Sequence, residues 1–418
     1  MNLVPSYNTL IVLAGTSLLG AGAGLAGCFA MLRRQALLGD ALAHAGLPGL
    51  CLAFWLWGER SLPVLLLGAL VSGIAGIMAI AAIGRFTRVK QDAAIGIVLS
   101  TFFGAGMVLS RMIQNRVSSG SRAGLDSYNL GKTAGMISTD VYLIGGIALV
   151  ALIMIVALYK EFKLVSFDPA FARVQGWPAT ALDLLLTLLV AIMVVIGLPA
   201  VGVVLMAAML ILPAAAARFW TDRLGVMLVL SALIGAGIGG LGTLASAQFS
   251  LSPAGPVIVL VGTAAFTVSL LIAPRRGVVA RVLAETAYHR RLDEQKVLAG
   301  LREAEGDEPL AVELPPWRFA ATAGRGARRR RAALQRLMVQ GFVRPILGGG
   351  FSLLPSGQQR ADLVERGRKL WVALLLRYPE LAHGYAELDA ETIDDLLPAK
   401  IVAELEADMA SAAPEWSP

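Results

Sequence analysis

Nine stretches of about 20 mostly apolar residues follow one another through the first two thirds of this chain, each about the length that crosses a bilayer. They lie at roughly 8–31, 36–57, 61–83, 92–113, 139–158, 180–197, 199–217, 224–246 and 254–273, with Gly and Pro interrupting the second and the 180–217 region. In lipid every backbone polar group must find its partner inside the protein, so such segments have to be helices. The expectation is an all-α polytopic membrane protein with about nine transmembrane helices. Charge changes character near residue 275. Residues 1–274 hold 15 Lys+Arg and 9 Asp+Glu, whereas 275–418 hold 21 and 20. This predicts a transmembrane domain over 1–275 and a water-exposed domain over 276–418. A single soluble fold, a disordered chain and a disulfide scaffold are excluded. The two cysteines, Cys28 and Cys51, both fall in apolar stretches and read as buried. Leu10–Ala30 is long enough to be a span itself and no basic stretch precedes it, so no cleavable signal peptide is expected.

Lys and Arg favour the cytoplasmic side of membrane loops. With the N-terminus outside, the inner loops carry Arg33, Arg34, Arg85, Arg88, Lys90, Lys160, Lys163, Arg173, Arg218, Arg223, Arg275 and Arg276, 12 in all. The outer loops carry five: Arg60, Arg111, Arg116, Arg122 and Lys132. An odd number of spans then leaves the charged C-terminal part in the cytoplasm.

That part reads as a small α+β unit. Residues 278–304 form an amphipathic helix, and Gly326–Gln340 a second one with Ala333, Leu334, Leu337 and Met338 on one face. After it come Phe342–Leu347 and Phe351–Leu354, a hairpin turning at Gly348-Gly349-Gly350, then a long helix over Gly357–Tyr378. An acidic helix over 387–408 closes the chain. Helix, helix, two-strand ribbon, helix is the order of a winged helix. Arg328–Arg331 opens the second helix, and clustered Arg binds phosphates. Acidic residues nearly cancel the charge of this part, so DNA is not the expected partner; a solvated basic face or a lipid headgroup contact competes.

The sharpest chemical feature is Asp40-Ala-Leu-Ala-His44 in the second apolar stretch. Residues four apart share a helix face. Counting about 1.5 Å per residue from Arg34 puts Asp40 at ~9 Å and His44 at ~15 Å depth. Ionisable groups at that depth are costly and mark function by default. Carboxylate plus imidazole is a ligand set for Zn²⁺, Mn²⁺ or Fe²⁺. A packed Asp–His hydrogen bond joining helices is the other reading, and two ligands do not close a metal site. Gly39, Gly46, Pro48 and Gly49 would let the helix break or a neighbouring backbone come close. In an inner loop, Asp168 is placed as an N-cap, Pro169 at the first helical position and Gly176 at the end of a turn. This predicts a short cytoplasmic helix offering Phe171 and Val174 to a partner, or else one lying on lipid. Asp126–Thr133 nearly spells a phosphate-binding loop, but Asp126 stands where the first glycine belongs and no strand precedes it. Asp92 and Asp183 are expected to cap helices. Gly20/Gly24 and Gly235/Gly239 are expected to let helices pack closely. His289 and His383 read as solvated.

Ala36–Gly49, with Asp40-Ala-Leu-Ala-His44 inside it, resembles the signature of the membrane permeases of manganese/zinc/iron ABC importers. So do Gln91–Ile97, Gly124–Tyr128, Leu164–Pro169 and the run from Val201 through Leu212-Pro213 to Arg218. The resemblance covers roughly residues 7–275. It implies a homodimer in the bacterial inner membrane that binds two cytoplasmic ATP-binding subunits. It also implies a divalent metal taken from an extracytoplasmic binding protein, carried as substrate and not held as a permanent cofactor. By the same resemblance Asp40 and His44 are metal ligands in the pathway, and 168–176, with Asp168, Pro169, Phe171, Arg173 and Gly176, is the coupling helix. ATP hydrolysis then belongs to the partner, and this chain is no enzyme. The C-terminal part, through Leu334, Leu337, Gly341-Phe342-Val343, Phe351–Gly357 and Arg368–Trp371, resembles the winged helix of metal-dependent repressors of the diphtheria-toxin-repressor type. It departs at Arg368-Lys369, where such repressors tend to carry a His. Two other readings stand beside the importer: a membrane-anchored winged-helix regulator or sensor, and a metal transporter independent of an ATPase.

Overall fold

The computed structural model describes residues 7–58, 62–116, 131, 133–248, 254–274, 276–306, 325–346, 350–377, 397 and 399–411. The stretch Asp126–Tyr128, His383, the hairpin turn at 347–349 and the 387–396 part of the expected acidic helix lie outside them. The chain divides into two compact units, Met1–Arg281 and Val282–Pro418.

The regular elements of the first unit are all helices among its described residues. It contains α1 (Tyr7–Leu32), α2 (Ala36–Trp57), α3 (Leu62–Phe86), α4 (Gln91–Arg116), a short 3-10 turn at Thr133–Gly135 and α5 (Ser138–Ala157). Then come α6 (Tyr159–Phe167), α7 (Pro169–Val174), α8 (Ala179–Val201), α9 (Val203–Trp220), α10 (Leu224–Gln248) and α11 (Ala254–Ile272). Among the described residues eight helices are long and apolar enough to cross a membrane. The expected ninth span is present as the 18-residue α9, which holds the shorter apolar stretch Leu205–Trp220. α8 and α9 part in the 197–203 stretch. Pro199 is accommodated inside α8, and the chain breaks later, at Gly202, whose φ of 82° favours glycine.

Small residues decide which helices touch. A Cβ added to Gly20 would run into the carbonyl oxygen of Gly235, and one on Gly235 into that of Gly20. One turn along, Ser231 Oγ donates to the Gly24 carbonyl at 2.8 Å. At the other end Thr16 Oγ1 meets the Gly239 carbonyl at 3.1 Å and Thr243 Oγ1 at 2.9 Å. The two glycine pairs therefore hold α1 against α10 backbone to backbone, as expected of small residues in a membrane interior. Gly235→Ala should lower the melting temperature in detergent by several degrees, since overpacking costs about 1–3 kcal/mol. Gly237→Ala, on the same helix with nothing within 4 Å of its added Cβ, should leave it unchanged.

Asp183 does not cap a helix. α8 starts at Ala179, with Pro178 at the cap, and Asp183 one turn inside is ion-paired with Arg33. The Arg33 guanidinium, its side chain only 6% exposed, also donates to Thr187 Oγ1 at 3.3 Å. Asp92 lies in the first turn of α4, as expected.

The second unit contains most of α12 (Val278–Gly306), then α13 (Arg325–Val339), β1 (Val343–Pro345), β2 (Phe351–Leu353), α14 (Pro355–Arg377) and α15 (Ala399–Ser411). The two strands pair antiparallel, Val343 opposite Leu353 and Pro345 opposite Phe351. Gly341, with φ of 76°, ends α13 and lets Phe342 N–H reach back to the Leu337 carbonyl at 2.9 Å. Val297, Leu298 and Leu301 of α12 close with Leu334, Leu337, Val343 and Leu353 into one small core. Leu370 and Leu374 close with Leu397 and Leu405 into another. Arg302–Asp362 at 2.9 Å and Arg366–Glu406 at 2.6 Å bridge the helices outside these cores. Lys369, bonded to Glu365 at 2.8 Å, holds that carboxyl below its ordinary range. Arg328, Arg329 and Arg331 are exposed, as is His289.

Candidate functional site

α2 carries the candidate metal pair and does not break, although Pro48 lies inside it. Asp40 and His44 stand one turn apart, with His44 Nε2 3.5 Å from Asp40 Oδ1. That is close to the edge, about 3.4 Å, of a tetrahedron whose ligand bonds are ~2.1 Å long. The pair remains partly open, the side chains 20% and 34% exposed. The other imidazole nitrogen, His44 Nδ1, is buried without a hydrogen-bond partner among the described residues. The Phe103 ring of α4 meets the imidazole edge to face, centroids 4.7 Å apart at 81°.

The surroundings explain how α2 is held. A Cβ on Gly49 would strike the Gly68 carbonyl of α3, so these two helices approach closely there. Ser72 Oγ of α3 donates to the Ala45 carbonyl at 2.6 Å. Pro48 has no N–H, so the His44 carbonyl loses the donor that a continuous helix would supply. The anticipated break is thus replaced by a continuous helix with one softened turn beside the pair. Among the described residues no three His, Cys, Asp or Glu gather into a metal-binding group. Among the described residues one chain therefore offers two such donors here, Asp40 and His44.

The second candidate element lies in the α6–α8 connection. Asp168 Oδ1 accepts the Phe171 N–H at 2.8 Å, and Pro169 occupies the first turn of α7. Gly176, with φ of 84°, turns the chain out of α7. Buried Phe162 and Val165 of α6 and buried Ala172 of α7 join the main core. That leaves Phe167, Phe171, Val174 and Trp177 44–85% exposed on one short segment, with Arg173 also exposed. So many large apolar side chains in one connecting segment suit contact with a protein or with the membrane.

Sequence reasoning placed Asp40, His44 and the 168–176 residues, and it missed Phe103, Ser72 and the Arg33–Asp183 pair. Each of these partners comes from a distant part of the chain and carries no local pattern.

Comparison with known proteins agrees with this architecture. The chain is 45% identical over 305 residues to the manganese transport system membrane protein MntC of Bacillus subtilis (strain 168), covering 73% of this chain and 70% of that protein. It is 43% identical over 278 residues to the zinc transport system membrane protein TroC of Treponema pallidum (strain Nichols), covering 66% and 93%. The structure of PsaBC from Streptococcus pneumoniae in complex with Fab matches with a TM-score of 0.58 at 32% identity, over 65% of this chain and 94% of that one. The family model described as "ABC 3 transport family" matches residues 6–273, which takes in α1 through α11 up to Ile272, and the chain belongs to that family.

Proposed function

We propose that this chain is the permease subunit of an ATP-driven importer that carries a divalent transition metal, Mn²⁺, Zn²⁺ or Fe²⁺, across the bacterial inner membrane. The observation that carries the reading is the Asp40–His44 pair, set at ligand-edge spacing on an otherwise apolar helix. Two donors do not complete a coordination shell. A two-fold homodimer with α2 at its axis would bring together two carboxylates and two imidazoles, enough for one ion. The names of MntC and TroC, manganese and zinc transport proteins, support the substrate class. Cytoplasmic ATP-binding subunits would dock on Phe171 and Val174 of the 168–176 segment, and an extracytoplasmic metal-binding protein would deliver the ion. Metal uptake into vesicles holding the permease with its ATPase, and none with either alone, is the expected result. Uptake by the permease alone would instead favour a transporter independent of an ATPase.

Residues 1–275 are assigned to the permease and 276–418 to a cytoplasmic winged-helix-like domain. Its helices and antiparallel two-strand ribbon support that assignment. With its near-balanced charge, this domain serves contact with protein and not with DNA. The N-terminus lies outside and the C-terminus inside. Both native cysteines are buried, so a cysteine introduced at exposed Ser356 reports this directly. It should react with a membrane-impermeant thiol reagent only after cells are permeabilised. Reaction in intact cells would reverse the orientation.

A further inference from the structure

The start of α12 presents an apolar stripe. Val278, Val279, Val282 and Leu283 are 44%, 49%, 50% and 62% exposed. At 100° per residue these four side chains fall within about 140° of one helix face. Arg281 and Glu285 fall outside that arc, and exposed Ala284 lies on the opposite side of the helix. The stripe begins six residues after Ile272, the last residue of the spanning helix α11. Those residues do not lead away from the membrane end. The Gly277 N–H bonds back to the Ala273 carbonyl at 2.9 Å, and the Arg281 N–H bonds to the Gly277 carbonyl at 3.0 Å, so α12 starts directly out of a compact turn. The same turn is pinned to the neighbouring loop, where Arg276 meets Asp222 at 2.6 Å and Asp222 meets Arg218 at 3.7 Å. Arg218 is in the last turn of α9. This charged cluster stands at the ends of α9 and α11, and the stripe begins two residues beyond it.

We infer that the first two turns of α12 are an interfacial anchor, with Val278, Val279, Val282 and Leu283 seated among the acyl-chain ends and headgroups of the leaflet from which α11 emerges. An amphipathic helix with apolar side chains on one face lies in that layer. Arg281 and Glu285 border the stripe on the same side with opposite charge, so its apolar area and not its charge sets the attachment. A second copy of the chain and a partner protein are the competing occupants.

The test uses the full chain in liposomes of zwitterionic and anionic lipid, with single cysteines at Leu283→Cys or Ala284→Cys carrying an environment-sensitive fluorophore. The native cysteines are buried and stay unlabelled. Brominated lipids should quench the label at 283 by about threefold or more relative to that at 284, since apolar faces of interfacial helices sit several ångströms deep. The contrast should be similar in zwitterionic and anionic lipid. Equal quenching at the two positions, or a water-like emission at 283, would overturn the proposal. So would a disulfide formed efficiently between two copies through Leu283→Cys, which would assign the stripe to a protein interface. Readouts of metal uptake do not enter, so the result stands apart from the transport reading.

Discussion

Replacing Asp40 by Asn is expected to abolish metal uptake in protein that still folds and still assembles with its ATPase. The substitution keeps the shape of the side chain and its capacity to hydrogen-bond His44. It removes the negative charge that offsets a divalent cation and one strong oxygen donor. Even outer partners of a metal site cost about 10–100-fold when lost, so a ligand itself should cost at least that. The Nε2–Oδ1 spacing of 3.5 Å is long for a hydrogen bond but suits two atoms bound to one ion. A purely structural pair predicts the reverse pattern: nearly normal uptake in Asp40→Asn and unstable protein in His44→Ala. Uptake near that of the native protein in Asp40→Asn would sink the metal assignment.

Phe171→Asp should separate ATP hydrolysis from transport. The Phe171 ring is 50% exposed on a six-residue helix whose backbone is fixed by the Asp168 cap and Pro169. An aromatic side chain presented this way is the kind that anchors an interface, and truncating such a hot spot costs about 2 kcal/mol or more, about 30-fold in affinity. Phe171→Ala should weaken assembly with the ATPase to about that extent, and a buried charge at the same position should weaken it further. The fold should survive both, since only Ala172 of this short helix enters the core. Coupled transport unchanged in both variants would remove this segment from the transmission pathway.

Much of this architecture is legible in the amino-acid sequence alone. Apolar runs must be helices in lipid, so the order of the spanning helices and eight of the nine expected follow from length. The Asp168–Gly176 segment is equally local, because capping and glycine rules act over a few residues. What escapes such reading depends on contacts between distant residues. Pro199 and Gly202 both interrupt an apolar run, and the packing of α8 decides between them. Asp183 looks like a cap until Arg33, 150 positions earlier, is found beside it. Phe103 stands in an apolar run with nothing to distinguish it from Phe102, and its role as the wall of the His44 ring emerges only when α4 lies against α2. Gly20 and Gly235 are readable as a type of contact, but their mutual pairing is not.

That pairing limits how the first unit can move. Side chains that interlock through rotamers can ratchet past one another, because each can swing aside. Carbonyl oxygens of two backbones in contact have no such freedom. At Gly20 against Gly235, and at Gly24 against the Ser231 carbonyl 2.6 Å from an added Cβ, sideways slip would drive main chain into main chain. The α1–α10 pair thus behaves as a single rigid plank. A transport cycle built on this scaffold has to place its hinges elsewhere, and the same holds for α2 and α3, whose main chains meet at Gly49 and Gly68.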